Sequence, residues 1–565
     1  MNNLNLEVFK RFWAIAKLYW LGDEKKGALG LLALLGVVLL AYTGLSVVLN
    51  TQQGALISAL SDKNQERFYQ TALIFLGVLI VYAPLFAGYG YLKDKLGLFW
   101  RRWLTNHFLG EYFKDRSFYN ISNFSQDLDN PDQRVSEDIR YFCLESLGFF
   151  LSIIVSILQV IAFSGVLWSI SVPLVIFLVV YALVGTLITA GVFGGKLVKL
   201  NYLQLKKEAN FRFGLIRIRE NAESIAFYRG EGREFNQVNN LFNGAYNNFN
   251  RLILWQDLYL GLFTNIFEFL PILIPAVVVA PSVFAGDMEV GKVSEAMGAF
   301  SRVFYSLNFI VSRFQGLTSF VAGIDRLYEF HNYLEEPKKE VGNKGVERRT
   351  IDTRKANRLA VENLTLQTPN YRRTLFNNVS FSLETAQGLL VMGASGCGKS
   401  SLLRAIAGLW NSGTGAIIRP PLEEMLFLPQ RPYMILGTLR DQLLYPNVNA
   451  EISDEEIQKV LERVNLPDLV EKQGGFDVEK DWSDVLSLGE QQRVAFARVL
   501  ITRPKYTILD EATSALDVKN EQSLYEHLLD TETTFISVGH RPTLKQYHHL
   551  MLDLLDGGKW QLYKL

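Results

Sequence analysis

Long apolar runs constrain this chain more than any other feature of it. A helix needs about 20 predominantly apolar residues to cross a hydrocarbon core of roughly 30 Å. Six stretches qualify, at 28–49, 71–91, 147–168, 172–193, 260–280 and 291–311. The fifth contains Pro271 and Pro275, which neighbouring helices have to accommodate, and the sixth encloses Glu295 and Arg302. They predict an all-α membrane domain of six transmembrane helices in a lipid bilayer.

Lys and Arg in the connections set the orientation. The segment after the second run carries Lys93, Lys95, Arg101, Arg102, Lys114, Arg116, Arg134 and Arg140. The segment after the fourth is equally basic, from Lys196 and Lys199 to Arg233 and Arg251, whereas the short connections hold only Lys63, Arg67 and Lys292. Both long connections, and both termini, therefore face the cytosol. Phe211, Leu215, Ile218, Ala222, Ile225 and Phe227 interleave with charges at helical spacing. The second to fifth spans are accordingly expected to continue into the cytosol as long helices. Ahead of the first span, Phe9, Phe12, Trp13, Ala16, Tyr19 and Trp20 recur at three- and four-residue steps and predict an amphipathic interfacial helix. Residues 1–333 form the transmembrane domain on this reading. Residues 334–358, rich in charge, form a linker, and 359–565, where short apolar runs alternate with helical stretches, form an α/β domain.

Net charge is zero, so charge points to no nucleic-acid partner. The two cysteines, Cys143 and Cys397, lie in stretches read as cytosolic, which argues against a disulfide. The N-terminus shows no cleavable signal and no organellar address, and the expected location is a bacterial inner (plasma) membrane with the α/β domain in the cytosol.

The chemistry is concentrated in the α/β domain. Gly393-Ala-Ser-Gly-Cys-Gly-Lys-Ser400 follows the apolar strand Gly388-Leu-Leu-Val-Met392 and precedes a helix opening with Ser401. This is the strand–loop–helix setting of a phosphate-binding loop. The backbone N–H groups of Gly393, Ser395, Gly396, Cys397 and Gly398 wrap phosphates, Lys399 reaches the β- and γ-phosphates, and Ser400 holds Mg²⁺. Further on, Tyr506-Thr-Ile-Leu-Asp-Glu511 is an apolar strand ending in two acids. Asp510 is the expected metal ligand and Glu511 the general base on the attacking water.

Between these motifs stands Leu486-Ser-Leu-Gly-Glu-Gln-Gln-Arg493, which resembles the signature of the ATP-binding-cassette (ABC) ATPases. Around it, in the family order, Gln430 matches the Q-loop, Ser514-Ala-Leu-Asp517 the D-loop and His540 the H-loop. The resemblance implies ATP and Mg²⁺ as cofactors and two such domains pairing head to tail. Ser487, Gly489 and Glu490 of one copy then face the ATP of the other, His540 steadies Glu511, and Gln430 senses the metal and water. One cassette per chain implies a half-transporter working as a homodimer, an ATP hydrolase coupled to translocation. Leu488 and Glu490 depart from the commoner glycine and glutamine. Where the family often has an adenine-stacking tyrosine the chain reads Thr368-Pro369, which leaves Tyr371 as the aromatic candidate.

The stretch Asn130-Pro-Asp-Gln-Arg134, the stretch from Asn210-Phe-Arg-Phe to Arg219-Glu-Asn-Ala-Glu223 and the signature together look like ABC subfamily D, with its peroxisomal fatty-acyl transporters, and like bacterial BacA-related half-transporters. The fold implied is ABC exporter-like. The cargo implied is fatty-acyl, lipid-like or otherwise amphipathic, with import of a hydrophilic solute such as cobalamin or peptides as the alternative. Arg134 and Glu223 are expected to couple ATPase closure to the membrane helices. Glu268 and Arg302, inside the fifth and sixth runs, are expected either to pair or to meet cargo.

Overall fold

The apolar runs become helices far longer than a bilayer is thick. The computed structural model describes residues 2–124, 131–309, 314–335 and 350–565, in two compact units, Met1–Val341 and Gly342–Leu565. The first is helical: α1 (Asn2–Trp20), α2 (Lys25–Ser61), α3 (Gln65–Phe113), α4 (Ile139–Ile170), α5 (Val172–Ile188), α6 (Gly195–Glu220), α7 (Glu231–Ile253), α8 (Gly261–Phe284), α9 (Gly291–Leu307) and α10 (Phe314–Glu335). α3 alone runs for 49 residues, about 74 Å at 1.5 Å per residue. Val172–Glu220 and Glu231–Phe284 run for 49 and 54 residues. These paths pass through two wider, π-helical stretches, Thr189–Gly194 between α5 and α6 and Leu254–Leu260 between α7 and α8. The stretches lie side by side, with the rings of Phe193 and Phe263 5.7 Å apart and Lys196 over the Trp255 ring at 5.4 Å.

Among the described residues, five helical paths, not six, have the length and composition of a span. The segment expected as the sixth forms α9, only 17 residues long. The reason is its surroundings. Ala296, Ala299, Phe300, Val303 and Phe304 are buried in the bundle, so α9 contacts protein over much of its surface and does not need to be apolar throughout. The last residues of that run, 310 and 311, lie outside the described residues, as do Asn130 and most of the expected linker.

Local chemistry explains how α8 stays helical through Pro271, Pro275 and Pro281. A proline deprives the carbonyl four residues back of its N–H partner. For Pro271 that carbonyl belongs to Phe267, and the Tyr181 hydroxyl on α5 donates to it at 2.7 Å. Gly185 makes the approach possible, because a Cβ there would run into the Phe267 ring. Beyond the π-helical stretches, α6 and α7 form an antiparallel pair. The buried Asn248 amide donates to the Leu200 carbonyl at 3.0 Å and to Gln204 at 2.9 Å, and Lys207 donates to the Gly244 carbonyl at 2.9 Å. α1 is amphipathic as its spacing predicts. Ile15, Ala16 and Tyr19 are buried while Phe9 and Trp13 stay exposed, and Tyr19 stacks on Trp100 of α3 at 5.9 Å.

The second unit is α/β. A four-stranded sheet, in the order β1-β5-β2-β3, is built from β1 (Asp352–Lys355), β2 (Leu359–Gln367), β3 (Thr374–Leu383) and β5 (Gly413–Arg419). A six-stranded sheet has the order β12-β11-β4-β10-β9-β6, from β4 (Gly388–Gly393), β6 (Met425–Leu428), β9 (Tyr506–Asp510), β10 (Thr534–Val538), β11 (Leu550–Leu554) and β12 (Trp560–Lys564). Two short strands, β7 (Gly437–Thr438) and β8 (Glu479–Lys480), pair by themselves. β1 falls inside the stretch expected as linker. Its four exposed residues pair with β5 through the backbone and leave no hydrophobic pattern in the sequence. In the larger sheet only β12 is antiparallel. β4, β9 and β10 are buried along nearly their whole length, as strands covered on both faces are.

Candidate active site

Sheet order does most of the assembly. β4, β10, β9 and β6 are parallel neighbours with Val391 opposite Val538, Val538 opposite Asp510, and Leu428 opposite Leu509. Their C-terminal ends therefore finish at one level, and chain leaving that edge is where open α/β sheets bind ligands. The phosphate loop leaves β4, Asp510 ends β9 with Glu511 next, His540 follows β10 by two residues, and Gln430 follows β6 by two. Motifs 148 positions apart, from Gly393 to Arg541, thus meet on one edge.

The loop delivers α11 (Lys399–Ile406), whose N-cap is Gly398 at φ 111°. No side chain caps this helix, so its leading N–H groups face an incoming anion. Lys399 is buried and its ammonium donates to the carbonyls of Gly393 and Ala394 at 2.8 and 3.0 Å. The Ser400 hydroxyl donates to Asp510 Oδ1 at 2.9 Å, which sets both oxygens on one side of the loop. Burial pushes the Asp510 carboxyl above the ordinary carboxylate range, against the Ser400 hydrogen bond and the charges of Arg404 and Lys399. A hydroxyl and a partly desolvated carboxylate in contact are a donor set suited to a hard cation such as Mg²⁺. Cys397 is half-buried, and its sulfur sits against Gly393 beside the core. It acts there as a small apolar filler.

Glu511 is held on both sides. The Gln430 amide donates to Oε2 at 2.9 Å and His540 Nε2 lies 3.0 Å from Oε1. Its backbone is left-handed, at φ 49°. A non-glycine residue in that region marks a place where surrounding structure dictates the conformation. Here the Glu511 N–H bonds the Val538 carbonyl at 3.1 Å, turning the carboxylate out of the strand. His540 is half-exposed and Glu511 about a quarter exposed, so water reaches the carboxylate.

The signature opens α12 (Leu488–Thr502). Ser487 caps it reciprocally with Glu490. The Ser487 N–H and hydroxyl both donate to Glu490 Oε2, at 2.9 and 2.8 Å, and Ser487 Oγ accepts from the Glu490 N–H at 3.3 Å. Among the described residues, no hydrogen bond joins Ser487 or Gly489 to the phosphate loop of the same chain. The turn bearing Tyr371 is tied to that loop through Arg373, which donates to the Gly396 carbonyl at 3.5 Å. Tyr371 itself is half-buried at φ 57°.

Two residues without a sequence-derived role complete the site. Gln492 is fully buried in α12. It donates to the Gln430 carbonyl at 3.0 Å and the Ser514 hydroxyl at 3.2 Å, and accepts from the Ala515 N–H at 3.0 Å. Arg541 donates to the Leu516 carbonyl at 2.8 Å and pairs with Glu521 at 3.4 Å. The only sequence signal for Gln492 is its place in the Glu490-Gln491-Gln492 run, and for Arg541 its adjacency to His540.

In the membrane unit the expected pairings differ. Arg134 is buried. It donates to the Arg326 carbonyl at 2.5 Å and lies 3.9 Å from Glu329, while Asp138 takes a two-pronged bond from the Arg326 guanidinium at 2.7 and 2.9 Å. These bonds fasten the start of α4 to α10. Glu223 is exposed, with no ion pair among the described residues. Glu268 and Arg302 are both exposed and are not brought together.

The family described as "ABC transporter transmembrane region 2" matches residues 15–284, and the one described as "ABC transporter" matches 376–514. An uncharacterized ABC transporter ATP-binding protein of Synechocystis is 48% identical over 94% of this chain and 81% of its own. A chloroplastic ABC transporter D family member 2 of Arabidopsis thaliana is 38% identical over 97% of this chain and 86% of its own. A human lysosomal cobalamin transporter is 31% identical over 100% and 97%.

Proposed function

The chain belongs to the ABC transporters, as a half-size, multi-pass membrane protein related to subfamily D with an ATP-binding domain, and from this premise we propose that two copies couple ATP hydrolysis to movement of a fatty-acyl or lipid-like cargo across an inner (plasma) membrane. One observation carries the catalytic half of the reading: a carboxylate turned out of its strand at positive φ and gripped between the Gln430 amide and the His540 imidazole. Glu511 takes the proton of the attacking water, Gln430 orients that water, and His540 fixes the carboxylate and reaches the γ-phosphate. Ser400 and Asp510 hold Mg²⁺, which when bound neutralises charge on the phosphates. Lys399 exchanges its loop carbonyls for phosphate oxygens. Ser487 and Gly489 act on the ATP of the partner, consistent with their lack of hydrogen bonds to the phosphate loop of their own chain.

The cargo assignment extends the resemblance to the fatty-acyl members of subfamily D. Import of a hydrophilic solute is the second reading, supported by the likeness to a human lysosomal cobalamin transporter. The test is ATP hydrolysis and uptake by vesicles reconstituted with the wild-type chain or Glu511→Gln. Removing the base while keeping the side chain's shape should lower turnover by about 10²–10⁴-fold and trap a dimer with ATP bound. Near-normal turnover would overturn the assignment. ATP-driven uptake of cobalamin but not of a labelled fatty acid would select the second reading.

A further inference from the structure

Resting on the transport reading above, we infer that the membrane unit holds an anion-accepting cargo site centred on Arg302. A cavity of about 400 Å³ is lined by Asn50 and Gln53 of α2, Gln159 of α4, and Ser301, Arg302 and Tyr305 of α9. Its depth follows from helix contacts. The Asn50 amide donates to the Glu295 carbonyl at 3.0 Å, and a Cβ at Gly298 would run into the Asn50 side chain. Arg302 lies one turn beyond Gly298, about 6 Å along the helix, and so stands beside the apolar run 28–49 of α2.

The chemistry of the lining is one-sided. Arg302 carries five N–H donors and a permanent charge. No carboxylate pairs with it among the described residues. The acid two turns away on α9, Glu295, is committed to Lys292 at 2.7 Å and to the Thr51 hydroxyl at 3.0 Å. Gln159 accepts from the Ser306 hydroxyl at 2.9 Å with its oxygen, which leaves its NH₂ group to donate elsewhere. Asn50, Gln53, Ser301 and Tyr305 add groups that can donate. A guanidinium at this depth is costly against lipid and belongs on a water-filled cavity or a cargo path. Charge and donors together fit a carboxylate or phosphate group, and the volume suits such an end group rather than a whole amphiphile. The site takes the anionic end of the transported molecule.

The test uses the full chain in phosphatidylcholine vesicles, with ATPase stimulation read against palmitate, hexadecanol and hexadecyltrimethylammonium, and against butyrate and inorganic phosphate as end groups without a long chain. Wild type should prefer palmitate. Arg302→Gln should need about 10- to 100-fold more of it for half-maximal stimulation, the equivalent of a lost hydrogen bond to a charged group. Its melting temperature should be unchanged. Arg302→Lys should keep the preference and Arg302→Glu should reverse it toward the cation. Equal stimulation of wild type by butyrate or phosphate, lost in Arg302→Gln, supports the site and assigns it to a free anion. A palmitate preference that survives in Arg302→Gln, or a wild type that does not distinguish the three headgroups, overturns it. Vesicle uptake is a separate readout. A chain that discriminates headgroups through Arg302 but moves none of them keeps the site and loses the transport reading.

Discussion

Gln492 and Asn248 are both buried primary amides, one in each unit, and they are used differently. Gln492 contacts the chain at Gln430 and at the adjacent Ser514 and Ala515, two segments that border the nucleotide site. Asn248 bonds twice to α6, at Leu200 and Gln204, and joins two helices away from any reacting group. The same contrast holds for the charges. Lys399, Asp510 and Glu511 converge on one sheet edge, whereas Arg134 and Asp138 fasten α4 to α10. Buried polarity in the second unit positions chemistry; in the membrane unit it fixes where rods cross.

Truncating Gln492 to alanine should break this contrast most severely. It leaves two acceptors and one backbone donor without their partner, at about 1–3 kcal/mol for each group that stays buried. It also frees Gln430 and the D-loop to shift. ATP turnover should fall on the order of 10²-fold, the scale of a misplacement of about 1 Å. Calorimetry should place the destabilisation in the ATPase transition. Unchanged turnover would show that Gln492 only packs α12.

Asp138→Ala tests the other side. It removes the carboxylate bonded to Arg326, whose side chain is 45% exposed and can recover water. The expected loss is therefore about 1–2 kcal/mol in the membrane unit. Basal ATPase activity of the folded protein should be retained. A loss of turnover with no change in melting would mean that this pair serves coupling.

The smallest effect is expected at the signature. Glu490→Gln restores the residue common in the family, and a glutamine can complete the same reciprocal cap with Ser487. Turnover should change by less than about threefold and stability by only tenths of a kcal/mol. A large gain in turnover would show that the Glu490 carboxylate holds Ser487 back from phosphate.

Much of the sheet edge that gathers these motifs was legible in the sequence, because each part carries its own local signal. Glycines with a lysine mark the loop, and an apolar strand ending in Asp510 and Glu511 marks the pair of carboxylates beside it. Gln430 and His540 were legible through their neighbours and their order. What the sequence hides is that β10 lies between β4 and β9, since strand order is settled by pairing across long separations. Gln492 hides for a different reason: one glutamine in a polar run looks like any other until its burial is known. In the membrane unit, hydrophobicity marks five spans well. The run expected as the sixth span became α9, which carries Glu295 and Arg302 among buried neighbours and whose far end, 310 and 311, lies outside the described residues. The coupling role expected of Arg134 gave no sign of its burial, because nothing in a basic connection marks which charge packs against another helix. β1 escaped because an exposed edge strand of four polar residues has no pattern to find.

The π-helical stretches at Thr189–Gly194 and Leu254–Leu260 have a mechanical consequence. A helix of about 50 residues with uniform winding is a stiff shaft: a twist applied at one end arrives at the other undiminished. A π-turn stores one residue more than an α-turn. Tightening it would lengthen the path by about 1.5 Å and swing one arm against the other by roughly 100°. These two shafts each keep such slack at the same level, with Phe193 against Phe263 between them. They can be rewound there as a pair, so a torque from the basic arm can be absorbed or passed on without breaking either helix.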